Sequence, residues 1–127
     1  MQRKVDIKWL NTMLVNKRIS LESIIIELVF ILLRITEIQE YKDGKPTGVV
    51  SGFAYEVVDT VNYDHYIFKV EQATPLMSNE ELQERREAGE KFFVEFINGT
   101  VMAYVSQKNS LEDSFKADDV RFVETSL

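Results

Sequence analysis

The chain of 127 residues has no cysteine, one histidine, two prolines and five glycines. The absence of cysteine excludes disulfides, thiolate nucleophiles and cysteine-based zinc sites. The single His65 excludes a histidine-rich metal cage, although one histidine is enough for a catalytic triad. Positive charge is scarce as well, with 15 Lys+Arg against 21 Asp+Glu and a net charge of -6. This balance excludes a protein held to nucleic acid or anionic lipid by bulk charge alone.

The whole chain is 45% hydrophobic and 28% charged, a composition typical of one soluble globular domain. Its charge is uneven, because residues 1–18 carry a balance of +4 and residues 34–127 a balance of -8. A basic segment in front of an acidic domain can meet the body of a second copy. A solvated terminus without a role is the alternative interpretation.

Residues 19–33 form the most apolar stretch, interrupted by Glu22 and Glu27. The stretch is too short and too charged for a membrane span, and no small-residue cleavage site follows it. It predicts a buried or partner-covered helix capped by Ser20, while an interfacial helix and a gene start assigned too early stay open. We therefore expect a helical arm over residues 1–33 and a β domain over residues 34–127. The residues expected to mediate homo-oligomerisation are Trp9, Leu10, Met13, Leu14, Ile25 and Phe30.

From Arg34 onward the pattern predicts strands separated by turns. Asp43-Gly44 is a tight-turn signal, and residues 66–70 alternate as a half-buried strand does. One short helix is expected near residues 79–88, because Ser78 and Glu81 have the spacing of a capping box and Gly89 supplies a stop. The order is strand, strand, strand, helix, strand, strand. A five-stranded Greek-key barrel with its helix between strands 3 and 4 is the OB-fold, so we expect a mainly β protein of that class.

Three segments carry a resemblance to known proteins. Residues 89–96 (GEKFFVEF) and 115–123 (FKADDVRFV) resemble the fourth and last strands of bacterial single-stranded-DNA-binding proteins. Residues 35–48 (ITEIQEYKDGKPTG) are similar to small accessory proteins of Gram-positive conjugative plasmids and transposons. The resemblance implies an OB-fold that binds single-stranded DNA on a mobile element. The chain departs from the family in lacking its acidic tail and in having residues 1–33.

Three patterns that could indicate enzymatic chemistry are better explained otherwise. The segment Gly44-Lys45-Pro46-Thr47-Gly48 lacks the spacing and the strand–helix context of a phosphate-binding loop. Asp118 and Asp119 are adjacent on an expected strand, so their side chains point to opposite faces and chelate a metal poorly. His65 lies in a turn without a nucleophile or oxyanion motif nearby. The sequence predicts no enzyme, no metal site and no cofactor.

The aromatic residues give the main functional indication. Twelve Phe and Tyr residues lie between Tyr41 and Phe122, more than a small barrel needs inside. Those expected in the core are Phe53, Tyr55, Phe68, Phe92, Phe96 and Phe122. Alternation leaves Phe93, Ile97, Met102 and Tyr104 facing outward, near several cations. Aromatic and basic side chains mixed on one sheet face suit single-stranded nucleic acid, because stacking tolerates any base. The residues expected to bind nucleic acid are Lys69, Phe93, Tyr104, Lys108, Lys116 and Arg121.

The resulting hypothesis is a cytoplasmic, non-catalytic protein that binds single-stranded DNA, or RNA, without sequence preference. It would need no small-molecule substrate and no membrane. The alternative is an oligomerising scaffold or adaptor, membrane-associated in one version, that uses residues 1–33 as its contact.

Overall fold

The computed structural model describes residues 19–20 and 29–124. Within these ranges the protein is mainly β, as expected, with one α-helix and one sheet of eight strands, of which the first has two residues. The elements are β1 (Ile19–Ser20), β2 (Val29–Lys42), β3 (Lys45–Asp59), β4 (His65–Val70), α1 (Asn79–Glu87), β5 (Phe93–Ile97), β6 (Thr100–Val105), β7 (Leu111–Ala117) and β8 (Asp119–Phe122).

The expected number of five strands is wrong. Each of the last two expected strands is divided in two, and residues 19–20 add the short strand β1. The fourth is interrupted at Asn98-Gly99, which separates β5 from β6, and the fifth at Asp118, which separates β7 from β8. Asn98 has a positive φ of 53°, so the chain turns where it would otherwise continue as strand. The two interruptions lie opposite each other, and the Asp118 N–H donates to the Ile97 carbonyl at 2.9 Å.

The strands are ordered β1-β6-β7-β4-β3-β2-β5-β8 in the sheet. The β4–β7 pair is parallel, and all the other pairs are antiparallel. Strand β2 pairs with β3 on one side and, at residues 29–31, with β5 on the other. Strand β1 lies on the edge of β6, where Ile19 is opposite Val101. Residues 19–20 and 29–33, which the sequence pattern assigned to the helical arm, therefore belong to the sheet.

This arrangement corrects the expected helix over residues 19–33. Residues 29–33 are the start of β2, and the strand runs without interruption across the position where the arm was expected to end. Phe30, which the sequence pattern assigned to an oligomerisation contact, is 1% exposed in the core. The other expected oligomerisation residues, Trp9, Leu10, Met13, Leu14 and Ile25, lie outside the described residues.

Helix α1 forms as the capping box predicts and closes the free edge of β2. The Ser78 hydroxyl accepts from the Glu81 N–H at 3.1 Å, and Leu82 is fully buried beneath the helix. The Asn79 side-chain oxygen accepts from the Ile35 N–H at 3.0 Å, and the Gln83 amide donates to the Leu33 carbonyl at 2.8 Å. The pairing of β2 with β5 ends at Ile31, and beyond that residue the side chains of α1 provide hydrogen-bond partners for the β2 backbone.

The core is a cluster of aromatic rings enclosed by the strands. The Phe68 and Phe96 rings stack with their centres 4.0 Å apart, and Tyr55 is fully buried against Phe96. Five of the six expected core aromatics meet the expectation fully or in part, since Phe53, Tyr55 and Phe68 are buried and Phe96 packs against them. Phe92 also packs against the core, whereas Phe122 is 44% exposed. The buried aromatics that the sequence pattern did not assign to the core are Phe30, Tyr66 and Phe115.

The turn between β3 and β4 is built around the buried carboxylate of Asp59. This carboxylate accepts from the backbone N–H groups of Val61, Asn62 and Asp64 at 2.6–3.0 Å. Burial by itself raises the pKa of Asp59, but the backbone hydrogen bonds outweigh it and bring the pKa below its ordinary value. The ionised form is therefore the one that stabilises the fold.

We expect the free energy of unfolding to decrease as the pH falls below about 4, through the lowered pKa of Asp59. The variant Asp59→Asn should lose about 2 kcal/mol at pH 7, because charge-assisted hydrogen bonds are lost, and should show a weaker acid dependence. Urea unfolding at a series of pH values measures both effects. Asp43→Asn, at an exposed turn, is the control, and equal acid dependence in all three proteins would contradict the assignment.

Candidate nucleic-acid interface

The centre of the candidate site is a pair of lysines on the outward face of the parallel strands β4 and β7. Lys69 lies directly opposite Lys116 in the register, although the two are far apart in the sequence. Their neighbours Phe68 and Phe115 point into the core, so both lysines point outward, and both are exposed. Within residues 19–20 and 29–124, neither lysine forms an ion pair. Both ammonium groups are therefore available to a ligand.

A cleft of about 470 Å³ crosses the strands at this level. Thr100 of β6, Lys116 of β7 and Lys69 of β4 form one cross-strand row along it. The cleft continues over Gly52 of β3 to Ile38 of β2. The lining residues therefore come from five adjacent strands of the sheet, β6, β7, β4, β3 and β2. A cleft shared by several strands can hold more than one unit of an extended polymer.

Gly52 lines the part of the cleft beside β2, where β3 approaches the end of β4 closely. A Cβ atom at this position would lie 2.4 Å from the Val70 carbonyl oxygen and 3.2 Å from the Glu71 Cα. No side chain fits at that distance, so glycine is required for the close approach of the two strands.

Tyr104 and Lys108 lie towards the other end of β6. Val101 and Ala103 of β6 are buried, so Tyr104 points outward, as the alternation predicted, and it is half-buried opposite Glu112. Lys108 is exposed in the loop of residues 106–110, which the Ser106 N–H closes by donating to the Ser110 carbonyl at 2.8 Å. Tyr104 shares the outward face of β6 and β7 with Lys116, with Met102 between it and the cleft, whereas Lys108 lies in the loop that joins these two strands.

Phe93 and Arg121 lie on a different part of the surface. Phe93 is opposite Ile31 of β2 and accepts at its carbonyl from the Val123 N–H, so it belongs to a half-buried apolar row on the outside of β2, β5 and β8. Arg121 pairs with the Glu95 carboxylate on the adjacent strand, which neutralises its charge. The structure therefore does not bring these two residues together with Lys69 and Lys116.

Sequence reasoning missed the cations of the β2–β3 hairpin. Asp43 and Gly44 form its turn, with φ angles of 53° and 77°. Lys42 and Lys45 flank this turn, and beside them Tyr41 is 69% exposed. The signal was present in the sequence, because two lysines next to an Asp-Gly turn must lie at a hairpin tip. The pattern was used only to place the turn.

The described residues also show where the segments considered for metal, phosphate and acid–base chemistry lie. Among the described residues, no group of three or more histidine or acidic side chains could hold a metal ion. The glycine-rich segment of residues 44–48 continues into β3 instead of preceding a helix. His65 lies 3.8 Å from the Glu56 carboxylate, which is also 3.9 Å from Arg34. In the part of the chain that is described, no helix has the length and apolar character to cross a membrane.

Comparisons with known proteins give no relative for this chain. No protein-family model, no curated protein and no solved structure matches it.

Proposed function

We propose that this protein is a non-catalytic single-stranded-DNA-binding protein whose sheet closes into an OB-type barrel. The observation that carries the proposal is the unpaired lysine pair Lys69–Lys116 in a cleft that runs across the strands. OB-folds bind oligonucleotides on the face of their second and third strands and on the loops beside it. Here that face corresponds to β3 and β4, with the hairpin lysines Lys42 and Lys45 at one loop and Lys108 at the other.

The strand pairing supports the barrel. If β5–β6 and β7–β8 each act as one bent strand, the chain has five long strands. Pairing then runs from β2 through β3, β4 and β7 to β6, and returns to β2 through β5. The return point is displaced along the β5–β6 strand, as the stagger of a barrel requires. The parallel β4–β7 pair and the position of α1 between β4 and β5 also fit this topology.

Stacking and a small number of phosphate contacts would provide the affinity. Three of the described arginines, Arg34, Arg85 and Arg121, lie within 4 Å of carboxylates and are engaged in ion pairs. Three to four phosphates neutralised on a single strand give a log–log salt slope of about -2 to -3. Tyr104 and the exposed Ile67 are the apolar side chains available to bases on this face. An origin on a mobile element, suggested by residues 35–48, is part of the same proposal.

The variants Lys69→Ala and Lys116→Ala test the proposal. Each should weaken binding of a fluorescein-labelled oligo-dT and make its salt slope shallower by about 0.7, because one phosphate contact is lost. Fluorescence anisotropy at several salt concentrations measures both quantities. Lys91→Ala is the matched control, since Lys91 is exposed between α1 and β5 and does not line the cleft. An equal loss in the control variant, or no binding of oligo-dT at low salt, would refute the proposal.

A scaffold that binds other proteins is the second candidate, and one observation favours it. The row formed by Ile31, Phe93 and Val123 is apolar, although it lies on the outside of the sheet and away from the cleft. Self-association in sedimentation velocity, together with no binding of oligo-dT, would support this candidate instead.

A further inference from the structure

The cleft contains negative as well as positive side chains. Glu71, at the end of β4, and Asp118, between β7 and β8, line it together with Lys69 and Lys116. Both acidic residues are exposed. Within the described ranges, no ion pair shorter than 4.0 Å joins either carboxylate to a lysine. The two charge types therefore do not neutralise each other, and each can contact a different part of a ligand.

The Asp118 carboxylate is held in place. The Asn98 side-chain amide donates to its Oδ2 at 2.9 Å, across the interruption that separates β5 from β6 and β7 from β8. The Asp118 backbone is also fixed, by the hydrogen bond to the Ile97 carbonyl described above. A carboxylate oriented in this way is an acceptor at a fixed position beside Lys116.

The groups of a nucleic-acid strand differ in what they offer a carboxylate. The phosphates repel it, whereas the exocyclic amino groups of cytosine, adenine and guanine donate hydrogen bonds to it. Thymine and uracil also have a donor, the ring N3–H, but it lies between two carbonyl oxygens that repel a carboxylate, one of them at the position where cytosine has its amino group. We propose that Glu71 and Asp118 make the cleft selective for bases that carry an exocyclic amino group, with the phosphates on Lys69 and Lys116. This inference rests on the proposed binding of single strands. It differs from that proposal in one respect, because the protein would bind bases that have an exocyclic amino group more tightly than bases that lack one.

Oligo-dC and oligo-dU are the probes for this effect, because cytosine presents an amino group to Glu71 and Asp118 at the position where uracil presents a carbonyl oxygen. We expect fluorescein-labelled 12-mers of dC to bind about 5-fold more tightly than those of dU, at the lower end of what one base-edge contact supplies. The variants Glu71→Gln and Asp118→Asn should each bring the ratio of the dC and dU affinities closer to 1. Each should weaken the binding of dC and strengthen the binding of dU. Glu84→Gln, which removes the same charge on exposed α1, should leave the ratio unchanged.

The outcomes separate this inference from the proposed function. Equal affinity of the unaltered protein for dC and dU would overturn the selectivity and leave single-strand binding intact. Tighter binding of both oligonucleotides by the same factor in Glu71→Gln would show that the carboxylate only repels phosphates, which also overturns it. Failure of both oligonucleotides to bind at low salt would refute the proposed function together with the inference.

Discussion

Replacement of Phe30 by alanine should lower the free energy of unfolding by about 3–5 kcal/mol. The Phe30 ring is 1% exposed, and its centre lies 5.4–5.7 Å from the ring centres of Tyr66, Phe68 and Phe96. Removing it from β2 would leave a cavity among three rings that are held by two other strands, β4 and β5. Because the strands surround the cavity, the neighbouring rings can collapse into it only in part.

Urea unfolding of Phe30→Ala, with the same substitution at Phe93 as control, measures this effect. Phe93 is half-buried on the outside of the sheet, so its replacement should cost only about 1 kcal/mol. Deletion of residues 1–30 should be more severe still, since it removes the Phe30 ring and two of the three residue pairs that join β2 to β5. A truncated protein that unfolds with the stability of the full chain would contradict the role of residues 29–33 in the sheet.

The second large effect is expected at Gly52. In the variant Gly52→Ala the new Cβ would lie 2.4 Å from a backbone oxygen of β4, so one of the two strands must move. We expect a loss of about 3 kcal/mol in the free energy of unfolding, in the upper range for forcing a methyl group into a packed site. Because Gly52 also lines the cleft, the displacement should weaken oligonucleotide binding as well.

The matched control is Gly48→Ala on the same strand. Gly48 has a φ of +81°, and a Cβ there would meet no atom within 4 Å. Its replacement should cost about 1 kcal/mol, through the backbone conformation alone. Similar losses for the two variants in urea unfolding would show that the close approach of β3 to β4 is not what requires Gly52.

The features that could be predicted from the sequence are those set by neighbouring residues. The turn at Asp43-Gly44, the capping of α1 by Ser78 and the alternation of β4 all depend on groups within a few positions of each other. The outward direction of Phe93 and Tyr104 could be predicted as well, because alternation holds within each strand on either side of Asn98-Gly99.

The apolar run of residues 19–33 shows where local pattern fails. A short apolar stretch is equally compatible with a buried helix and with a strand buried on one face, because its period does not distinguish them. Residues 29–31 are strand because β3 and β5 are both present to pair with them. Neither partner is close in the sequence, so Phe30 could not be assigned to the core before the sheet was known.

The candidate site also depends on residues that are distant from each other in the sequence. By itself the sequence determined the residue types, the class of mainly β protein, the helix near residues 79–88 and the excess of negative charge. Only the tertiary structure decided that Lys69 and Lys116 are neighbours and that Arg121 is neutralised by Glu95. The physical reason is that a parallel pair joins strands without a direct connection, so its register depends on packing of the whole sheet.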